Sequence, residues 1–556
     1  MFQISLVKYL KREFVVTAIL VASLLFSSSF IYAGSYQPLK TLCDGFAQLP
    51  VVTQADTCLG LVVKRDATNG LRMPRSLVQT PDGKLLILDM GGWSPKQGKL
   101  LLLDYPQKST ELKILRTGLN LPHKILIGPL GKIYFGEANR ISRFEWENGE
   151  MVNQQVVIDG LPFATEYLHP LKNFTFDRKG NLLVNIGSSS DRCAKKATLT
   201  NCIDGTEASI RRYSYDAKTD SYGKTDSDGK NFEIIGRGLR NSMALVVHSS
   251  GTILQAENSI DLPDADEPYE ELNIIDGDKF YGWPLCYNHH VSLAGGECKA
   301  ENYQGPWTLL PPHAAPLDML YYTHAKLPNL HNRLLMSWHG YRIVGNRLVS
   351  YEVDTKGRPL LQERAYFWRA PTVPEGKYTK HLFNPQGGFD TVSVTNKATQ
   401  KDREGDASNY VAQHQEVISQ WNEIEGVRPE GAPVGLTQAQ DGSLFIVDDR
   451  NAAILRLSTG SPYQPQKVLA QKPVTIASVV PPAAVNAVLQ QHCASCHNEL
   501  QQPTNMLLSS AHWLAKQEGK TLMEQKIFEE KLRPMPLNGH LTVQEKKVLF
   551  DWFKTL

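Results

Sequence analysis

The sequence predicts an all-β six-bladed β-propeller followed by a small all-α domain, and three observations carry that expectation. One strand–turn–strand pattern recurs six times between Arg72 and about Ser458. Prolines then crowd residues 459–482, and a helix-forming segment without any β pattern begins at Ala483.

The N-terminus reads as an address rather than as fold. Lys8, Lys11 and Arg12 precede an apolar run from Val15 to Phe26, with a cleavage position after Ala33, so residues 1–33 are expected to be a secretory signal peptide. Ile31 stands where a small residue is usual, and the alternative is an uncleaved membrane anchor, since the run approaches the ~18 apolar residues that suggest a span. Both readings export the body of the chain, to the periplasm. Six of the eight cysteines fall in local pairs, Cys43 with Cys58, Cys193 with Cys202 and Cys286 with Cys298. Disulfides are expected there, each contributing ~2–4 kcal/mol in an oxidising compartment, the alternative being six buried thiols.

At 556 residues the chain is too long for one ordinary core. Its 42% apolar and 21% charged residues describe a globular protein, and a net charge of +2 gives no field to hold nucleic acid or an anionic membrane. Small neutral substrates remain open.

The repeats occupy 34–458. They are 76–90 (SLVQTPDGKLLILDM), 123–138 (HKILIGPLGKIYFGEA), 173–187 (NFTFDRKGNLLVNIG), 243–257 (MALVVHSSGTILQAE), a looser copy at 332–340 (NRLLMSWHG), and 435–449 (GLTQAQDGSLFIVDD). Further strands follow most of them, such as 99–104 (KLLLLD), 139–146 (NRISRFEW) and 453–458 (AILRLS). A hairpin plus further strands, repeated six times, makes six four-stranded blades, where a two-layer sandwich would need no such repetition. A polar stretch from about Gly376 to Gln420 is expected to be an insertion that covers the channel.

Beyond the 459–482 linker, Cys493-Ala494-Ser495-Cys496-His497 places two thiols for thioether attachment of a haem and an imidazole to ligate its iron. A zinc site would need a second ligand pair, which is missing at useful spacing. Met535, in Arg533-Pro534-Met535-Pro536, is the expected second axial ligand, with Met506, Met523 and His540 as competitors. Thr542 and Glu545 form a capping-box pattern opening a helix through Trp552 and Phe553. The order of elements over 483–556 resembles a small class I cytochrome c domain with one covalent haem c.

Four passages of the propeller carry a further likeness: Pro122-His123, the run from His169 through Ser189, Gly236-Arg237-Gly238-Leu239-Arg240-Asn241, and Glu257-Asn258 leading to Tyr281-Gly282-Trp283-Pro284. These are similar to soluble pyrroloquinoline quinone (PQQ)-dependent sugar dehydrogenases of the sorbosone and aldose dehydrogenase-like type. The resemblance implies His169 as the general base, Arg240, Asn241, His123 and Arg342 around PQQ, and calcium near Asn258 and Ser259. A neutral imidazole suits proton abstraction near pH 7, and a guanidinium suits a carboxylated planar cofactor. His339 is a further candidate for cofactor or substrate contact, and Glu270 and Glu271 are the better metal candidates in an acidic run that otherwise reads as a solvated loop.

The chain departs from the family twice. Ser188 stands where an acid commonly orients the base, with Asp191 as its possible substitute, and Ala432 replaces an arginine of the last blade. A lost charged contact costs ~1.5–3 kcal/mol. The expected function is a periplasmic quinohaemoprotein dehydrogenase oxidising a sugar, alcohol or aldehyde at PQQ and passing electrons to its own haem. An external acceptor, either a soluble cytochrome or a respiratory-chain component, would receive them next. The alternatives are a non-enzymatic ligand- or partner-binding propeller with a tethered cytochrome, or a propeller holding an unrelated redox cofactor.

Overall fold

The computed structural model describes residues 36–66, 68–163, 168–193, 202–223, 231–261, 268–288, 291–292, 298–340, 345–363, 376–383, 389–396, 410–419, 421, 431–464, 482–492 and 541–554.

Six antiparallel sheets follow one another along the chain as blades. Blade 1 runs from Pro74–Gln79 to Leu112–Leu119, blade 2 from Ile125–Ile127 to Glu150–Ile158, and blade 3 from Phe174–Phe176 to Glu233–Arg237. Blade 4 runs from Ala244–Val247 to Thr308–Pro312 and blade 5 from Pro316–Tyr322 to His414–Ser419. Blade 6 takes three strands from Pro433–Gln438, Leu444–Asp448 and Ala453–Thr459, and its fourth from the N-terminal side, Thr57–Lys64. That strand pairs along Ala453–Thr459 from Thr57 opposite Thr459 to Lys64 opposite Ala453, so the ring is closed by hydrogen bonds between the two ends of the propeller.

The second strand of each blade is a short run of apolar residues because both its faces are covered, one by each neighbouring blade; Leu85–Asp89, Ile133–Glu137, Leu182–Ile186 and Leu444–Asp448 are buried throughout. Each blade-to-blade seam has its own core. Leu77, Ile87 and Leu101 of blade 1 pack on Phe445, Val447 and Ile454 of blade 6, and Leu254, Leu272 and Leu310 of blade 4 pack on Met336, Trp338 and Val349 of blade 5. Each fully buried large side chain of this kind contributes ~1.5–3 kcal/mol. The hairpin turns need a left-handed residue, which explains the recurring glycines: φ is +84° at Gly83, +82° at Gly180 and +81° at Gly442.

The six blades expected from the repeats are present. Two features were not expected: the closing strand lies ahead of Arg72, and His414–Ser419, inside the stretch read as an insertion, is the fourth strand of blade 5. Of that stretch, Gly376–Phe383 and Phe389–Asn396 form a hairpin of their own. All three expected cysteine pairs are disulfides, with Cα atoms 5.6, 6.2 and 5.7 Å apart.

Among the described residues after 482 are two helices, α1 (Ala483–His492) and α2 (Val543–Phe553). The Thr542–Glu545 capping box forms as the sequence indicates, and Glu545 also reaches His492 Nε2 at 2.8 Å, tying α2 to α1. The signal segment, Cys493, Cys496, His497 and Met535 lie outside the described residues, as does Arg342. Among the described residues no helix is long and apolar enough to cross a membrane.

Candidate active site

In every blade the first strand leaves from, and the second returns to, the same rim of the propeller. The loops before first strands and after second strands therefore gather there, and the repeat assigns each blade a residue at equivalent points. The position closing the second strand holds Asp89, Glu137, Ile186, Glu257, Trp338 and Asp448 in blades 1 to 6. Where it is acidic, the carboxylate accepts from the loop entering its own blade. Asp89 takes Arg72 N (2.6 Å) and Met73 N (2.9 Å), Glu137 takes Asn120 N (2.8 Å), Glu257 takes Asn241 N (3.0 Å), and Asp448 takes Ala432 N (3.2 Å). Burial pushes Asp89 and Asp448 up from the usual carboxylate range and Glu257 up to about 7. These clamps went unread in the sequence, although the acids are visible when the six hairpins are written under one another.

Blade 3 has Ile186 in place of the acid, and the glycine that follows it makes room for His169. A Cβ on Gly187 would lie 2.6 Å from the His169 carbonyl oxygen, so the absence of a side chain lets the His169 loop press against the strand end. His169 Nδ1 stands 2.8 Å from Ser188 Oγ and 3.0 Å from Ser188 O. Ser188 is wholly buried, its Oγ donates to Ser190 O at 2.6 Å, and its N–H donates to Arg240 O at 2.7 Å. Burial first, then the neighbouring Arg240 guanidinium, holds the imidazole well below the ordinary histidine range. It is neutral at pH 7.

Arg240 lies in the loop between blades 3 and 4. Its Nε and Nη2 donate to Asp191 Oδ1 at 3.0 and 2.7 Å, and its Nη1 donates to Asn258 O at 2.8 Å. Asp191 thus does not orient His169 directly but anchors Arg240. Burial opposes ionisation of Asp191, but Arg240 and Arg192 outweigh it and hold the carboxyl low. The Cys193–Cys202 bridge and Trp283 Nε1, which donates to Asp191 O at 2.8 Å, fix this loop. Asn241 Oδ1 is buried without a hydrogen-bond partner.

A second network comes from blades 1, 2, 5 and 6. Arg75 donates through Nε to His123 Nδ1 (3.1 Å) and pairs through Nη1 with Asp449 Oδ2; Asp449 Oδ1 is 2.8 Å from His339 Nε2. Burial keeps His123 and His339 below their ordinary range. Asp449 stays ionised against the cost of its burial because His339 and Arg75 face it. Arg450, in the same loop, reaches toward Asn346 Oδ1 and His339 O at 3.4 and 3.5 Å. Arg75, Asp449 and Arg450 were not singled out by sequence reasoning, because the network is assembled from blades far apart in the chain.

Below the rim the axis is closed. One cluster draws Met90, Leu121, Leu171, Met243, Leu317 and Val434 from all six blades, which places it on the axis. One residue further along the first strands, Lys124 of blade 2 reaches Asp318 of the opposite blade 5 at 2.7 Å. Beyond that pair, toward the far end, lies a cavity of about 500 Å³ lined by Lys124, Ile125, Tyr321 and Leu436 among others.

The two residues expected near calcium are bonded to Arg240, Pro316 and Glu270. Asn258 O already accepts from Arg240, Asn258 Nδ2 donates to Pro316 O at 2.9 Å, and Ser259 N–H donates to Glu270 Oε2 at 2.6 Å. Burial raises Glu270 to about 8 and Glu271 well above its usual range, so both favour the neutral acid. No three His, Cys, Asp or Glu side chains converge for a metal among the described residues.

Residues 62–294 match the TrAA12-like family model. A solved AA12 structure from Trichoderma reesei covers 76% of this chain and 100% of its own at 18% identity, with a TM-score of 0.51. The holo PQQ domain of pyranose dehydrogenase from Coprinopsis cinerea covers 75% of this chain and 99% of its own, at 18% identity and a TM-score of 0.50. This propeller has their fold. A curated PQQ-dependent pyranose dehydrogenase of Coprinopsis cinerea is 24% identical over 373 residues, covering 57% of this chain and 46% of that protein, so the chain spans about half the length of the curated relative it matches.

Proposed function

We propose that this protein is a PQQ-dependent sugar dehydrogenase that oxidises a pyranose, or a related alcohol or aldehyde, at the rim. The observation that carries the proposal is the convergence of a neutral buried histidine, His169, with Arg240 and Asn241 at one side of a rim whose fold is shared with a pyranose dehydrogenase PQQ domain.

The residues present fit PQQ. Asn241 Oδ1 is a buried acceptor awaiting a donor, and Arg240, Arg75 and Arg450 set guanidinium groups around the rim, suited to a planar group bearing carboxylates. When bound, PQQ supplies the acceptor for the hydride that leaves the sugar carbon. His169 takes the hydroxyl proton of that same carbon, so the C–H and O–H bonds break and a C=O bond remains. Arg240, fixed by Asp191 and Asn258 O, orients the bound groups beside His169, while the closed axis prevents water from entering from below. No step is assigned to calcium.

The Cys493–His497 segment supports the rest of the reading. A covalent haem c with His497 and Met535 as axial ligands would take electrons singly and deliver them to an external acceptor. The export signal in residues 1–33 and the three disulfides support a periplasmic location.

The test is reconstitution with PQQ followed by a screen of pyranoses, alcohols and aldehydes against a dye acceptor. Turnover that requires PQQ and is lost in His169→Ala is the expected result; PQQ binding without turnover of any of these would overturn the dehydrogenase.

A further inference from the structure

Position 188 is where this chain departs from the dehydrogenases it resembles, and the hydrogen bonds around it show what the serine does. His169 Nδ1 has two partners, Ser188 O and Ser188 Oγ. A main-chain carbonyl can only accept. A hydroxyl has one proton, and that of Ser188 is directed at Ser190 O, 2.6 Å away, which also can only accept. Both partners are therefore acceptors toward Nδ1, which must carry the ring's hydrogen. We infer that Ser188 is a positioning residue that fixes His169 as its Nδ1–H tautomer, leaving Nε2 as the ring's proton-accepting atom, and does so without bringing a negative charge to the ring.

The geometry is held from several sides. Ser188 is buried, its N–H is tied to Arg240 O, and Gly187 lets the two loops meet. The buried His123 offers a contrast: its Nδ1 faces Arg75 Nε, which can only donate, so its lone pair is engaged. His169, with Nδ1 engaged at Ser188, keeps its Nε2 lone pair for a substrate. An acid at this position would also fix the tautomer, but it would stabilise the imidazolium as well. With serine the proton is taken by a base with no anionic partner at Nδ1, and Arg240 and Lys172 repel the charge that forms while Asp191 attracts it.

This inference rests on the dehydrogenase reading for its purpose but not for its test. The full chain, labelled with ¹⁵N at histidine and free of PQQ, is examined by long-range proton–nitrogen correlation, with the His169 signal assigned by its loss in His169→Gln. The expected result is a protonated Nδ1 and a bare Nε2 in the neutral ring. Ser188→Asp should keep that tautomer and raise the pH at which the ring protonates by about one to three units, the range for an opposite charge in contact. In the PQQ-loaded protein, Ser188→Ala should lower kcat roughly tenfold with KM nearly unchanged. An Nε2–H tautomer in the wild type would overturn the inference, and an unchanged kcat in Ser188→Ala would overturn the role of the side chain. Absence of PQQ-dependent oxidation in the wild type would instead overturn the dehydrogenase reading, whatever the tautomer.

Discussion

The two sides of the rim use the same residue types to opposite ends. On the blade 3–4 side, His169 is bonded to an uncharged serine, and the Arg240–Asp191 pair stands beside it. Across the rim, His339 is bonded directly to Asp449, which Arg75 also grips. The difference teaches that a histidine's partner decides its task. A ring whose Nδ1 faces residue 188 keeps Nε2 for substrate without a charged partner, whereas Asp449 links Arg75 to His339 and Arg75 also donates to His123, so these four form a charged scaffold.

The sharpest way to break this comparison is to remove each histidine in turn. His169→Ala should lower kcat by about 10²–10⁴, the usual worth of a general base, and His339→Ala by much less. Steady-state kinetics with PQQ present would contradict the division if the larger loss fell on His339.

The arginines should divide the other way. Arg75→Ala leaves the buried Asp449 without its guanidinium partner, holding only the His339 contact, at a cost of up to about 3–5 kcal/mol in denaturant unfolding. Arg240→Ala leaves the more exposed Asp191 and should destabilise less, while weakening PQQ binding more. Titration of both variants with PQQ, beside their unfolding curves, checks this.

Smaller effects sharpen the picture of the blade 3–4 side. Replacing Cys193 and Cys202 together by Ala should cost ~2–4 kcal/mol and loosen the Asp191 loop, measurable as faster hydrogen exchange at Asp191 and Arg240. Glu270, which holds Ser259 N and Ala315 N, keeps its proton in the folded state up to about pH 8, while the unfolded chain releases it near pH 4.3. Its contribution is therefore full below about pH 4.3 and is lost as pH rises toward 8, with a slope of at most about 1.4 kcal/mol per pH unit. Glu270→Gln should flatten that part of the stability–pH curve; an unchanged slope would show that Glu270 is ionised in the fold.

The propeller was legible because each hairpin is local: a turn glycine and its two strands lie within about fifteen residues, as in 76–90. The closing strand was not, since Thr57–Lys64 finds its partner at Ala453–Thr459, and nothing near it in the chain marks the pairing. His414–Ser419 was taken for insertion because a long excursion separates it from the rest of blade 5. On the rim, His169, Arg240 and Asn241 were reached through family likeness, and the structure brings them together. The Arg75–Asp449–His339 network escaped because it depends on which blades become neighbours when the ring closes. At Asn258 the sequence could not reveal that its carbonyl accepts from Arg240.

The central claim is that sugar is oxidised at the His169 side of the rim and that its electrons leave through the haem. Its most direct test is to load the oxidised full chain with PQQ, add a pyranose without any external acceptor, and follow the haem absorbance. The account predicts sugar-dependent reduction of the haem in the wild type and none in His169→Ala, whose haem should still be reduced by dithionite. Reduction of equal rate and extent in both proteins would contradict it.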